Sequence, residues 1–120
     1  MEVQESVNVA AIRGVCSSPA EVRVLPSDQV LAQLQVTTRV DGKAVSVPVA
    51  VLDPASWVEE LNAGDEVIVV GHVKRRFYRA SGTTASRVEI AAEYVAKGRD
   101  RRRAQSARRR VEAVLEALES

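Results

Sequence analysis

Side chains that do chemistry are scarce in this sequence. There is one cysteine, Cys16, and one histidine, His72, in 120 residues. A single thiol forms no disulfide within the chain, and the two residues together assemble no zinc ligand set. They lie far apart, on what read as different strands, so they set up no nucleophile and base. Glu59-Glu60 and Asp65-Glu66 read as exposed acids near a helix end, not as an acid facing a base. No glycine loop that cradles phosphate is present. The expectation is a non-catalytic protein with no metal and no cofactor. No apolar run approaches the ~20 residues that cross a bilayer. The first residues lack the basic and apolar regions of a signal peptide, so a cytoplasmic protein is expected. Aromatic residues are also few: one Trp, one Phe and two Tyr.

What is present is a chain long enough for one modest core. Hydrophobic residues make up 46% and charged residues 28%, with a net charge of +1. That near balance hides a division. Residues 1–96 hold nine Lys or Arg against twelve Asp or Glu, a net of −3. Residues 97–110 hold eight cations against one acid, a net of +7. The sequence therefore divides into a slightly acidic body, 1–96, and an arginine-rich segment with a helical pattern, 97–120.

The body reads as strands. Val7 to Cys16 is rich in β-branched and small residues, with Gly14 marking a bulge or sharp bend. Ser17-Ser18-Pro19 breaks it, and Glu21 to Leu25 is a short extended piece. Val30, Ala32, Leu34, Val36 and Thr38 then alternate with more polar neighbours, at the period of a strand. Asp41-Gly42 is a strong hairpin signal. Val45, Val47, Val49 and Val51 alternate beyond it, with Pro48 suggesting an edge or a bulge. Asp53-Pro54 reads as the start of a short helix, Asp as N-cap and Pro at the first helical position. Trp57 and Leu61 share its face, and Gly64 reads as its stop. Two further strands, Val67 to Val73 and Arg87 to Val95, close the body. From Ala104, an apolar stripe at helical spacing runs through Ala107, Val111, Val114, Leu115 and Leu118. Alone in water that helix is marginal, so it needs the body, a second copy or another protein to pack on.

The order of elements fits an all-β fold. The expected architecture is a five-stranded OB-fold barrel with one short helix between strands 3 and 4, plus a C-terminal α-helix. An open α+β sandwich is also compatible with the pattern alone. The stretch from Gly71 to Gly82 carries the functional signal. It holds Lys74, Arg75, Arg76 and Arg79 around the adjacent rings of Phe77 and Tyr78, and Ser81-Gly82 reads as the turn. Cations suit phosphates and rings offer faces for unpaired bases to stack on. The plain alternative is a hairpin with a solvated polar face.

Several spaced residues resemble the bacterial single-stranded DNA-binding protein family. Asn8-Val9-x-x-Ile12-x-Gly14 is similar to that family's first strand. Pro19-x-Glu21-Val22-Arg23 resembles its Pro-Glu-x-Arg signature with one residue inserted. Val30 through Thr37-Thr38-Arg39 resembles the second strand. Leu61-x-x-Gly64-x-x-Val67, then Val70-Gly71, resembles the helix end and fourth strand. Gly71 to Tyr78 resembles the segment in which Tyr78 takes the place of a tryptophan. The likeness covers roughly residues 6–95. It implies an OB-fold, single-stranded DNA as ligand, and a homo-oligomer of two or four copies. The chain departs from the family where aromatic residues near Ala50-Val51 are missing and where an acidic, Phe-ended tip is not found.

Two readings follow. The first is a non-catalytic module that binds single-stranded DNA in replication, repair or recombination, in a cytoplasmic, nucleoid-associated setting. Its contacts are expected at Lys74, Arg75, Arg76, Phe77, Tyr78 and Arg79, extended by Arg13, Arg39 and Arg87, with Arg23 along the same track. A basic arm of Arg101, Arg102, Arg103, Arg108, Arg109 and Arg110 adds phosphate contacts whose strength falls with salt. The alternative is an OB-fold assembly protein, similar to the primosomal protein of the B type. It would bind DNA weakly and dock a protein partner through its C-terminal helix.

Overall fold

A computed structural model describes residues 6–119. The chain forms β1 (Ala10–Cys16), β2 (Glu21–Val24), β3 (Val30–Val40), β4 (Lys43–Leu52), α1 (Ser56–Glu59), β5 (Glu66–Ala80), β6 (Thr83–Lys97) and α2 (Arg101–Glu116). A 3-10 turn over Ala117–Glu119 follows. Five strands close into a barrel. β1 pairs with β5, β5 with β6, β6 with β4 and β4 with β3, and β3 returns to β1 through Val15 and Cys16 opposite Thr37 and Val36. The β4–β6 pair is parallel and the others are antiparallel. β2 continues beyond the break after β1 and lies on the edge of β3. The helix α1 falls between the third and fourth barrel strands, as an OB-like fold requires.

The period of two decides which side chains fill the barrel. Ala32, Leu34 and Val36 from β3 meet Val49 and Val51 from β4, Val67 and Val69 from β5, and Ile90 from β6. Val58 and Leu61, on and just after α1, join the same core, and Trp57 packs half-buried against it. Cys16 lies in this core at 1% exposure. Burial pushes its thiol up, and the Asp65 carboxylate adds to the shift. It stays protonated and acts as a small apolar residue.

Two glycines let the barrel close. A Cβ at Gly14 would strike the Thr37 carbonyl of β3, so only glycine lets β1 cross there. A Cβ at Gly71 would strike the Ala91 carbonyl, at the point where the β5–β6 register shifts. Val70 lies opposite Tyr94 and Gly71 opposite Ala92, so Glu93 is the extra residue of a bulge. The bulge reverses the phase of β6. Ile90 and Ala92 belong with the barrel core, as does Val95, whereas Tyr94 turns to the outer surface. The uninterrupted alternation of Val88, Ile90, Ala92 and Tyr94 read from the sequence breaks at that residue.

Asp53 does not cap α1. Its backbone takes φ 48° and its carboxylate accepts from Val30 N at 3.1 Å and Gln29 Nε2 at 3.2 Å. It ties the end of β4 to the start of β3. The N-cap is Ala55, which makes no side-chain bond, and α1 is a single turn. Both long hairpins end as their sequences indicate. Asp41-Gly42 and Ser81-Gly82 each place two residues at positive φ, the geometry of a two-residue type I′ turn.

The helix α2 packs on the outside of the barrel. Ala104, Ala107 and Val111 meet Val9, Ile68, Val70, Tyr94 and Ala96, forming a second, smaller core. Asp100 caps α2 by accepting from the backbone of Arg102 and Arg103. No helix among the described residues is long and apolar enough to cross a membrane.

Candidate nucleic-acid interface

The site is built on a ribbon that outgrows the barrel. β1 accompanies β5 only as far as Gly71, and β4 meets β6 only at Ile90 and Ala91. Beyond those points β5 and β6 continue as a two-stranded arm to the Ser81-Gly82 turn. Asn8 finishes the barrel edge at its base. The Asn8 amide donates to the Val73 carbonyl at 2.8 Å, and its oxygen accepts from Val73 N at 2.9 Å.

Strand alternation divides the cationic stretch between two faces. Lys74, Arg76 and Tyr78 project from one, beside Glu89, Arg87 and Ala85 of β6. Arg75, Phe77 and Arg79 project from the other, beside Val88, Ser86 and Thr84. The first face opens onto an outer surface of the barrel. There Arg76, Tyr78 and Arg87 meet Arg23 of β2 and Gln33 of β3 around a hollow of about 270 Å³. On the second face Arg75 donates to Ser86 Oγ at 2.9 Å, and Phe77 is 66% exposed.

One acid organises these cations. Among the described residues Glu89 alone of the charged side chains is buried, at 4% exposure. Arg76 Nη1 lies 3.7 Å from Glu89 Oε1 and Arg87 Nε lies 4.0 Å from it. Arg76 and Arg87 are cross-strand partners and would repel each other. The carboxylate between them offsets that repulsion. Gln33 completes the cluster. With its amide oxygen turned toward the guanidiniums, it accepts from Arg76 at 3.0 Å and Arg87 at 3.3 Å. The cations are thus held in place before any ligand arrives. Arg23, Lys74, Arg76 and Arg87 against Glu89 leave the groove positive.

The other cations expected at the site do not line this hollow. Arg13 donates to Glu66 Oε1 at 2.8 Å on the outside of β1, and Arg99 grips the other oxygen at 3.0 Å. These bonds, Arg13's first, hold the Glu66 carboxyl below its ordinary range. Arg39 shares the outward phase of Gln33 on β3 and lies beside the Asp41-Gly42 turn, donating to the Gly42 carbonyl at 3.4 Å. The arginines of the arm are helical. Arg103 pairs with Asp100 and Arg108 with Glu112. Arg109 reaches Ser106 Oγ at 3.3 Å, and Arg110 lies over the Tyr94 ring at 4.6 Å. Arg101 and Arg102 are exposed in the first turn of α2.

Glu89 and Gln33 were not singled out from the sequence. Glu89 was within reach of a register argument, since a two-residue turn at Ser81-Gly82 sets Arg76 opposite Arg87 and Lys74 opposite Glu89. Gln33 comes from a distant strand and carries no local signal. No protein-family model matches this chain, and no curated protein sequence matches it.

Proposed function

We propose that this chain is a non-catalytic module that binds single-stranded DNA in the groove beside the β5–β6 ribbon. The observation that carries the reading is the convergence of Arg23, Arg76, Arg87 and Tyr78 on one open hollow outside the barrel. Three or four guanidinium and ammonium groups follow a backbone of phosphates, and the Tyr78 ring offers a face to one base. Duplex DNA hides its base faces, so the preference is for unpaired strands. The sequence resemblance to bacterial single-stranded DNA-binding proteins supports the same reading. It brings with it roles in replication, repair or recombination, a nucleoid-associated location, and assembly into dimers or tetramers that adds avidity.

The magnitudes fit a moderate binder. One stacking platform contributes about 1–3 kcal/mol per base. Three or four phosphate contacts on a single strand give a slope of log affinity against log salt of about −2 to −3. The decisive experiment is fluorescence anisotropy of a labelled mixed-sequence strand, alone and annealed to its complement, across a salt series. The expected result is tighter binding of the single strand with a slope in that range. Equal affinity for strand and duplex sinks the reading. A much steeper slope brings the arginines of α2 into the site.

A second reading has its own observation. The apolar stripe of α2 does not end where the barrel ends. Leu115 is 43% exposed and Leu118 is 62% exposed. Under this reading the helix end docks a protein partner and strand binding is secondary.

A further inference from the structure

Beyond Arg76 the groove continues into a second hollow of about 420 Å³, a volume typical of pockets that enclose small ligands. Its walls are partly aliphatic, with the Gln29 amide among them. Leu25 of the turn after β2, Leu31 of β3 and Leu52 of β4 face Ala91 of β6. Lys74 and Arg76 line the same hollow, and so does Glu89. Slots with apolar walls and cations alongside suit a flat base whose own phosphate stays outside. The groove-facing side of the ribbon carries one ring, Tyr78, so a base beyond it has to be held by this aliphatic slot.

Glu89 gives the slot a chemical preference. Its distances of 3.7 and 4.0 Å to Arg76 and Arg87 are ion-pair distances, longer than direct charge-assisted hydrogen bonds of about 2.7–2.9 Å. The carboxylate therefore keeps acceptor capacity toward the hollow, in a poorly hydrated setting where a mismatched polar group is costly. Cytosine and adenine offer an exocyclic amino group, and guanine offers an amino group beside a ring N–H. Thymine and uracil offer one N–H flanked by two carbonyl oxygens, which meet the carboxylate with like charge.

We infer that this second hollow takes one unstacked base of the bound strand and, through Glu89, selects amino-bearing bases over thymine and uracil. The inference rests on the single-strand reading above and gives it a base preference.

The test compares short oligo-dC and oligo-dU of equal length with the wild-type protein, in mildly alkaline buffer. The two bases differ at the position Glu89 reads. The expected result is tighter binding of oligo-dC by about fivefold to a hundredfold. Replacing each cytosine by its N4,N4-dimethyl derivative removes both donor hydrogens and is expected to abolish the advantage. Glu89→Gln, which can donate as well as accept, is expected to bring the dC to dU ratio toward one. If that variant does not fold, the modified cytosine decides the matter on the unaltered protein. Equal binding of oligo-dC and oligo-dU, or tighter oligo-dU, overturns the base preference and leaves the strand-binding reading standing. Retention of the full advantage by the dimethyl derivative also overturns it. Failure to bind either strand removes the strand-binding reading, and this inference with it.

Discussion

Tyr78 and Phe77 are neighbours in the chain, yet they project from opposite faces of the ribbon. A short strand lying in the groove therefore meets one ring. Tyr78→Ala should weaken a short oligonucleotide by roughly 1–3 kcal/mol with little change in the salt slope. Phe77→Ala should cost less than half of that. Lys74→Ala should instead reduce the magnitude of the slope by about 0.7. Arg75→Ala should leave the slope unchanged, because Arg75 lies on the far face and donates to Ser86. Titrations of these variants by anisotropy at several salt concentrations check all four outcomes. If Phe77 and Tyr78 prove equivalent on a short strand, the division into faces does not govern binding. Arg76 is a poor probe, since its removal takes away a partner of the buried Glu89 carboxylate.

The ribbon and α2 show how elements carry opposite burdens. The ribbon is long, and a two-stranded hairpin alone is marginal in water. Its base is secured where Asn8 ties to Val73 and where Gly71 admits the bulge. The charges of α2 run against its own dipole. Arg101, Arg102 and Arg103 crowd its N-terminus, and Glu112 and Glu116 lie toward its C-terminus. Such a charge costs about 0.3–1 kcal/mol when it lies in the terminal turn, as the three arginines and Glu116 do. Docking of Ala104, Ala107 and Val111 on the barrel and the Asp100 cap offset that cost. Past Val111 the stripe leaves the barrel. Replacing Leu115 and Leu118 together by Ser should therefore leave strand affinity within about twofold and the thermal midpoint little changed. Any assembly built on the helix end should shift to smaller species in sedimentation. A large loss of strand affinity would instead tie the helix end to the groove. Legibility in the sequence followed locality. Asp41-Gly42 and Ser81-Gly82 announced both turns, and the alternation from Val30 to Thr38 announced the inner face of β3. The strand parity that separates Phe77 from Tyr78 was equally present. The bulge at Glu93 was not, because the Ala91 carbonyl that forbids a side chain at Gly71 comes from another strand. Asp53 misled for a related reason, since the backbone that claimed its carboxylate belongs to Val30.

At the scale of the whole molecule, Glu66 joins three parts. It lies at the start of β5, accepts from Arg13 of β1, and accepts from Arg99 in the connection to α2. Gly98 packs against its side chain, and Gly98 N donates to the Glu66 carbonyl at 2.9 Å. Barrel closure and helix docking thus share one carboxylate, which neither the charge count nor the spacing of these residues revealed. The bond from Arg13 is the first cause of the lowered value, and Arg99 adds to it. A glutamate in an unfolded chain titrates near about 4.3. Its folded value lies below that, so the charged form is favoured by folding. The stabilisation is fully present above the unfolded value and is lost as pH falls through the folded one. The pairs are solvent-exposed, so the effect is modest and weakened by salt. Glu66→Gln should lower the thermal midpoint at neutral pH. The gap between variant and wild type should narrow below about pH 4.5 and close in stronger acid. Thermal melts across that pH range, at low and high salt, measure it. The absence of a gap at every pH would mean that Glu66 contributes through packing on Gly98 alone, since Gln keeps the same carbon skeleton. A gap that closes on acidification would make the shared carboxylate the electrostatic tie between the barrel and the arginine-rich helix.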